Sequence, residues 1–314
     1  MFTKYQYVHA LYTEQSFTRA AEKLFISQPS LSAAIRGVEK QVGVPLFQRT
    51  GAGVVPTDAG RVYVDAVEQI IRIENECRRQ LDDISSLKTG SLTVGGTNYL
   101  SSYVFPRVFS AYTRQYPGVQ IANVEANSSR LEDMLKADEV DLVMDSFDEH
   151  SDVYQCFPLL REHILLCVPA GWDINRALTA HAIRPDQLHT DTAVLDRVPP
   201  VSIRRFAGET FISLKKGNDM HARAVEIFKK GGVAPRIPFR VDQLNIAYAI
   251  VALGTGCCFV TDTLFRYGKF TDDVVLYPIA EADQTRALCV AYRKGKYCTH
   301  AMQQWIETAR QIIR

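Results

Sequence analysis

The pattern of apolar and polar positions divides the chain into two parts. In residues 1–89, apolar side chains recur at intervals of three and four, which is the period of an α-helix. From Gly90 onward, short apolar runs alternate with amphipathic helical segments, as in a parallel sheet covered by helices. The sequence therefore predicts an α/β protein with a helical N-terminal region.

Three helices are predicted in the first forty or so residues. An apolar stripe with steps of three marks the first, over residues 2–12. Ser16 is the expected N-cap of the second helix, "FTRAAEKLF". Ser27 is the expected N-cap of a third helix that begins at Gln28, since a serine hydroxyl accepts an otherwise unpaired N–H. Pro29 in the first turn then loses no hydrogen bond.

The third helix is predicted to have two different faces. Leu31, Ile35 and Val38 follow the helical period and should point inward. The opposite face is uncharged at its start and rich in hydrogen-bonding groups. Together with the cap residue Ser27, it consists of Gln28, Pro29, Ser30, Ser32, Ala33 and Arg36. Such a face suits base edges in the DNA major groove. The alternative is a Ser/Ala-rich helix buried against another domain.

A β-hairpin with a glycine tip is predicted to follow, in "LFQRTGAGVVPT". It would place Arg49 and Thr50 beside the third helix, as a wing. Residues 1–61 carry seven basic and four acidic side chains, although the whole chain has a formal net charge of only +1. This modest excess permits phosphate contacts without being diagnostic of them.

A long helix capped by Thr57 should come next and extend over about 30 residues, or roughly 45 Å. Its apolar stripe repeats at steps of three and four through Val62, Ala66, Ile70, Ile73, Cys77, Leu81 and Ile84. A sustained stripe of this kind needs a partner helix. Because no second helix of that length lies nearby in the chain, the expected partner is another subunit.

Residues 16–60, "SFTRAAEKLFISQPSLSAAIRGVEKQVGVPLFQRTGAGVVPTDAG", closely resemble the winged helix-turn-helix of LysR-type transcriptional regulators. The specific motifs are the alanine pair, S-Q-P-S-L-S, E-K-Q-V-G-V-P-L-F-Q-R and P-T-D-A-G, and the resemblance extends more weakly to the C-terminus. It implies a cytoplasmic transcription factor that binds double-stranded DNA as a homodimer or homotetramer. The wing departs from the family by having Gly51 and Gly53 where a basic residue is often found.

The resemblance implies three domains: a winged helix-turn-helix over 1–58, a linker and dimerisation helix over 59–89, and an effector-binding domain over 90–314. In the last, strands and helices alternate as βαβαβ from "SLTVGG" to "VDLVMD", and a second set follows from "TFISL" to "GCCFVT". Two such halves resemble a periplasmic binding protein. We expect the first half at about 90–162 plus 268–314, and the second at about 163–267.

Ligands of such folds bind where strands end and helices begin. The residues expected there are Thr97, Asn98, Ser101, Asn127, Ser128, Ser129, Lys215, Asn218 and Gln243. Hydroxyl and amide groups over free N–H groups suit an anion, so the expected effector is a small anionic metabolite. The alternative is that Asn127 and Ser128 serve only as an N-cap.

Other functions have weaker signals. The seven histidines lack metal-ligand spacing, and neither a nucleophile elbow nor a phosphate loop occurs, so no catalytic residue, metal or cofactor is expected. The seven cysteines lie mostly in apolar segments and are expected to be reduced. No leader or membrane span is apparent. The alternatives are a solute-binding or catalytic α/β protein that dimerises through its helical segment, and a thiol redox sensor.

Overall fold

The computed structural model describes residues 4–51, 53–84, 90–191, 193–268, 273–282 and 285–313. They belong to two compact units, Met1–Leu81 and Asp82–Arg314. None of the helices in these ranges is both long enough and apolar enough to cross a membrane.

The first unit contains the predicted helices and hairpin in the predicted order. Its elements are α1 (Tyr5–Glu14), α2 (Phe17–Lys23), α3 (Gln28–Val42), β1 (Phe47–Thr50), β2 (Gly53–Pro56) and α4 (Asp58–Ile84). Both predicted caps are confirmed, because Ser16 accepts the N–H of Arg19 and Ser27 accepts the N–H of Ser30. The first helix begins at Tyr5, later than the apolar stripe indicates.

The core of the first unit lies between α1, α2, α3 and the start of α4. Leu31, Ile35 and Val38 are buried there, as predicted. The start of α4 approaches the hairpin so closely that a Cβ atom at Gly60 would clash with the carbonyl oxygen of Leu46. Thr57 reinforces this junction: its hydroxyl accepts the N–H of Gly60 and donates to the carbonyl of Pro45. The hairpin is therefore fixed to the helices on both sides of it.

The second unit consists of two α/β halves. The first half begins with the predicted βαβαβ, and its elements are β3 (Gly90–Gly96), a π-helical segment (Leu100–Val104), α5 (Phe105–Gln115), β4 (Val119–Glu125), α6 (Ser128–Lys136) and β5 (Leu142–Ser146), completed by β11 (Thr285–Arg293) and α13 (His300–Ile312). Strand β3 lies between β4 and β5 and is parallel to both. The carboxyl ends of all three strands therefore meet at one edge.

The second half contains shorter helices and a second group of strands. Its elements are α7 (Ile174–Ala177), α8 (Pro185–Thr190), α9 (Val194–Arg197), β7 (Thr210–Leu214), α10 (Asp219–Gly231), β8 (Arg236–Val241), α11 (Leu244–Ala252), β9 (Cys258–Thr261), α12 (Asp262–Tyr267) and β10 (Val274–Pro278), with 3-10 turns at Thr179–His181 and Ile203–Phe206. Strands β7 and β8 pair in parallel, and a bridge between Phe211 and Cys257 connects β7 to the start of β9.

One long strand, β6 (Tyr154–Pro169), belongs to both halves. Up to His163 it pairs with β11, and from Ile164 it pairs with β9 and β10. The sequence predicts that the chain returns to the first half at about residue 268, and this boundary is wrong in one respect. Because β10 pairs with the second part of β6, the chain returns to the first half only between β10 and β11.

Candidate functional site

The first candidate surface is the exposed face of α3. Ser27, Pro29, Ser30, Ala33 and Arg36 are exposed, and Gln28 and Ser32 are half-buried. The hydroxyls of Ser27 and Ser30 lie 2.8 Å apart, and Arg36 donates from Nη1 to Ser32 Oγ at 3.0 Å. The sequence-predicted residues thus share one polar face that is uncharged over its first two turns.

The wing, residues 47–56, is held against α3 by a contact that the sequence reading missed. Glu39 of α3 accepts the N–H groups of Leu46 and Phe47 through one carboxylate oxygen, at 2.8 and 3.2 Å. Arg49 then lies with its guanidinium 5.5 Å from the ring centre of Phe17, and it lines one groove with Arg36. Arg49 and Thr50 are both exposed. The hairpin therefore places a cation beside the polar face of α3.

Helix α4 presents an apolar stripe that its own unit covers only in part. Val62, Ile73 and Leu81 are 72%, 67% and 61% exposed, and Cys77 is also exposed. Ala66 and Ile70 are half-buried, and Ile70 packs in part against the core of the first unit, so the role of these two positions in subunit association stays a prediction. The side chain of Ile84 lies outside the described residues.

The second candidate site is a cleft of about 270 Å³ between the two halves of the second unit. It lies at the carboxyl ends of β3 and β4, beside the starts of α6 and α10. Six predicted effector residues line it: Thr97, Asn98, Asn127, Ser128, Asn218 and Gln243. The topology thus brings together side chains that are nearly 150 residues apart in the sequence.

Three predicted effector residues do not line this cleft. Ser101 points back along its own segment and donates to the carbonyl of Gly96 at 3.4 Å. Ser129 is exposed in the first turn of α6, and Lys215 forms an ion pair of 2.7 Å with Asp242, which lines the cleft. The part of these three residues in effector binding stays a prediction.

The starts of α6 and α10 bond to each other across the cleft. The N–H of Ser129 donates to the carbonyl of Gly217 at 2.9 Å, and the N–H of Asp219 donates to Ser128 Oγ at 3.3 Å. Asn127 caps α6 by accepting the N–H of Arg130 at 2.9 Å. The expectation that these helix starts present a group of free N–H donors is therefore wrong, since internal partners occupy those of Ser129, Arg130 and Asp219.

A buried ionic network under the cleft was also missed by the sequence reading. Arg286, with a side chain 3% exposed, donates from Nε to Glu162 at 2.7 Å and from Nη1 to Asp219. Burial alone would raise the pKa of Asp219, but the guanidinium groups of Arg286 and Arg223 outweigh it and lower that pKa. Burial raises the pKa of Asp145 to about 6, against the opposing effect of Arg286. No period or motif marks these residues.

Glu125 is the other carboxylate that the sequence reading missed. One of its oxygens, Oε1, accepts from Asn98 Nδ2 at 2.9 Å and from Gln243 Nε2 at 3.1 Å. Asn98 follows β3 in the first half, and Gln243 precedes α11 in the second. The carboxylate is therefore positioned by amides from both sides of the cleft.

Comparison with known proteins identifies the family of both units. The family described as "Bacterial regulatory helix-turn-helix protein, lysR family" matches residues 2–61, and that described as "LysR substrate binding domain" matches residues 85–314. The chain belongs to the LysR family. It is a DNA-binding transcriptional regulator with an effector-binding domain, and not an enzyme.

Relatives share this LysR-family organisation over nearly their whole length. The HTH-type transcriptional regulator YcgK of Bacillus subtilis is 28% identical over 309 residues, which are 98% of this chain and 94% of YcgK. CbnR, solved with its target DNA, superposes with a TM-score of 0.63 over 99% of both chains at 16% identity. The CcmR regulatory domain of Synechocystis, solved with 2-PG, has a TM-score of 0.59 at 15% identity and covers 72% of this chain and 98% of its own.

Three cysteines of this LysR-family regulator, Cys156, Cys167 and Cys257, do not have the setting of reactive thiols. Burial raises the pKa values of Cys167 and Cys257 well above the ordinary value, and that of Cys156 to about 11. A thiol reacts as its thiolate, so these shifts suppress reactivity at neutral pH. They argue against the thiol-sensor alternative at these three positions.

Proposed function

We propose that this LysR-family regulator reads DNA sequence through the exposed face of α3 and contacts phosphate through its wing. The single observation that carries the proposal is the polar face from Ser27 to Arg36, uncharged at its start and flanked by Arg49. Proteins specify bases with short hydrogen-bonding side chains and hold the backbone with cations. We also propose that the protein acts in the cytoplasm, where it would bind chromosomal DNA.

Individual roles follow from the chemistry of the base edges. Gln28 can bind adenine N6 and N7, and Ser30 or Ser32 can pair with either kind of edge. Pro29 and Ala33 can contact a thymine methyl group, while Arg36 reaches guanine or phosphate. Ser27 and the first N–H groups of α3 can donate hydrogen bonds to a phosphate, because they lie at a helix start.

The assembly that we propose is a dimer through the exposed part of the α4 stripe, and a tetramer of two such dimers. A dimer binds two half-sites, which increases both affinity and specificity. The proposed domain division remains 1–58, 59–89 and 90–314, now with β10 assigned to the second half of the last domain. CbnR, solved with its target DNA, supports the DNA partner.

The effector that we propose is a small, carboxylate-bearing metabolite in the cleft between the two halves. CcmR, solved with 2-PG, supports ligand binding by a domain of this fold. The cleft is at the lower end of the size of ligand sites, which are commonly about 300–1,000 Å³, so a compact metabolite fits it better than a large cofactor.

The test compares Gln28→Ala with Arg49→Ala on two DNA targets, a site selected from random oligonucleotides and an unselected duplex. Gln28→Ala should lower affinity for the selected site by about 1–3 kcal/mol and leave the unselected duplex nearly unaffected. Arg49→Ala should weaken binding to both duplexes. It should also reduce the salt dependence of the affinity by the amount expected for about one phosphate contact. Gln41→Ala, at an exposed position in the last turn of α3, is the matched control.

Equal losses on both duplexes for Gln28→Ala would contradict base reading by this residue. If the salt dependence of the affinity is unchanged in Arg49→Ala, the wing does not contact phosphate through this residue. Circular dichroism melts of each variant separate these results from loss of folding.

A further inference from the structure

The charge and donor pattern of the cleft restricts the class of its ligand. We propose that the ligand carries a protonated amino group as well as a carboxylate, and that Glu125 binds the amino group. The ligand class is then that of the α-amino acids and similar small zwitterions. The inference rests on the proposed function, because it assumes that this cleft binds the effector.

The charges that line the cleft are mainly negative. Four carboxylates line it, Glu125, Asp145, Asp219 and Asp242, against the guanidinium of Arg286. That guanidinium is already engaged by Glu162 and Asp219. A ligand with only negative charge would therefore enter a site where carboxylates outnumber cations, which is unfavourable at these distances. A ligand that also has a positive group gains from the same charges.

Glu125 is the carboxylate available to that positive group. Asp242 is paired with Lys215 at 2.7 Å, and Asp219 is paired with Arg223 at 2.8 Å. Asp145 is almost completely buried, and the backbone N–H of Ser146 occupies one of its oxygens. Glu125 has no ion pair with any described residue, and its two amide partners do not neutralise its charge.

The geometry around Glu125 also leaves acceptors for an amino group. Both amides bind Oε1, and Oε2 has no hydrogen-bond partner among the described residues. Because Asn98 donates from Nδ2 to a carboxylate, its amide cannot flip without placing two oxygens together. Asn98 Oδ1 is thereby fixed as an acceptor, and in the described part of the chain it is buried without a partner, as is Thr97 Oγ1. An ammonium group supplies three donors and matches such acceptors.

Donors for the carboxylate of the same ligand lie on the neighbouring loop. Asn127 uses its Oδ1 to cap α6, which leaves its Nδ2 to donate into the cleft that it lines. The Thr97 hydroxyl can donate as well as accept. The cleft therefore has both kinds of group that a zwitterion needs, and its volume of about 270 Å³ suits a compact one.

The experiment uses the full chain and a panel of matched pairs. Each of the twenty L-α-amino acids is tested beside the acid of the same skeleton with hydrogen or hydroxyl in place of the amine, by thermal shift and then by titration calorimetry. At least one amino acid should bind, and its amine-free counterpart should bind at least about tenfold more weakly, as expected for loss of a charge-assisted hydrogen bond.

Two variants test whether Glu125 causes the preference for the amino acid over its amine-free counterpart. Glu125→Gln keeps an oxygen for the amides of Asn98 and Gln243 but removes the charge, so it should weaken amino-acid binding by about tenfold to a hundredfold and abolish the preference over the amine-free acid. Glu307→Gln makes the same change at an exposed carboxylate on α13 that does not line the cleft, and it should keep the preference.

The inference is overturned if no amino acid binds, if amine-free acids bind best, or if Glu125→Gln leaves the preference unchanged. A gel shift on the same preparation keeps this result separate from the proposed function. Sequence-specific DNA binding together with any of these three outcomes contradicts the zwitterion alone. Loss of specific DNA binding by the unmodified protein contradicts the proposed regulator.

Discussion

Single residues in the cleft are held in environments that change their chemistry. Asp145 ends β5 and is only 3% exposed, and burial raises its pKa to about 6 against the attraction of Arg286. Glu125, at the end of β4 on the other side of β3, is exposed and held by two amides. Two carboxyl groups at the same edge of the sheet thus have different surroundings, one buried and one exposed.

The raised pKa of Asp145 predicts how stability depends on pH. The folded protein retains this proton up to about pH 6, whereas the unfolded chain loses it near the ordinary value of 3.8, so this group destabilises the fold as pH rises between the two. Asp145→Asn should therefore unfold at nearly the same urea concentration as the wild type below pH 4. At pH 8 it should be more stable by up to about 3 kcal/mol.

Urea denaturation of both proteins from pH 4 to pH 8 measures this difference. Asp152→Asn, at an exposed carboxylate, is the control and should show a difference that is small at every pH. If the difference for Asp145→Asn does not change with pH, Asp145 has an ordinary pKa in the folded protein.

At the scale of elements, α4 has two different apolar faces. Tyr63, Val64 and Val67 are buried in the core of the first unit, while Val62 and Ile73 are exposed. The first turns of α4 therefore complete the core of the first unit. Beyond them it presents apolar surface of the kind that favours a helix from another subunit.

The exposed part of the stripe predicts the effect of a charge at its centre. Ile73→Glu would place an unpaired carboxylate in the proposed helix pair, so it should dissociate the dimer and lower DNA affinity. Sedimentation equilibrium measures the first effect and a gel shift the second. Asn75→Glu adds the same charge on the other side of α4 and should leave the dimer intact. An intact dimer for Ile73→Glu would show that subunits associate elsewhere.

The helices and strands were more predictable than the cleft, because the sequence patterns that mark them involve neighbouring residues. The caps at Ser16 and Ser27 and the burial of Leu31 depend on neighbours within a few residues, and the sequence reading identified them correctly. Arg286 and Glu162 are 124 positions apart, and their ion pair exists only because β6 and β11 are adjacent in the sheet. Such a pair leaves no periodic signal in one sequence.

At the scale of the whole molecule, the two units have separate cores. The buried core of the first is formed by residues from Tyr5 to Val67, and that of the second by residues from Leu92 to Ile313. A unit with its own core is expected to fold by itself. The loss of one unit should therefore leave the other folded.

A fragment spanning residues 90–314 should accordingly unfold in one cooperative transition and keep the ligand preference of the full chain, while losing DNA binding. Differential scanning calorimetry and the amino-acid panel test these expectations. A fragment without a cooperative transition would mean that the second unit needs residues 1–89 to fold.

The hydrogen bonds between the starts of α6 and α10 have a kinetic consequence. The contacts Ser129 N–H to Gly217 and Asp219 N–H to Ser128 join the two halves, so a motion that widens the cleft must break both. We predict that this widening is a first-order step that precedes ligand binding. In stopped-flow measurements the observed association rate should level off at high ligand concentration, at the opening rate of the empty domain. The lifetime of the complex between regulator and ligand would then depend on these two hydrogen bonds as much as on the ligand's own contacts.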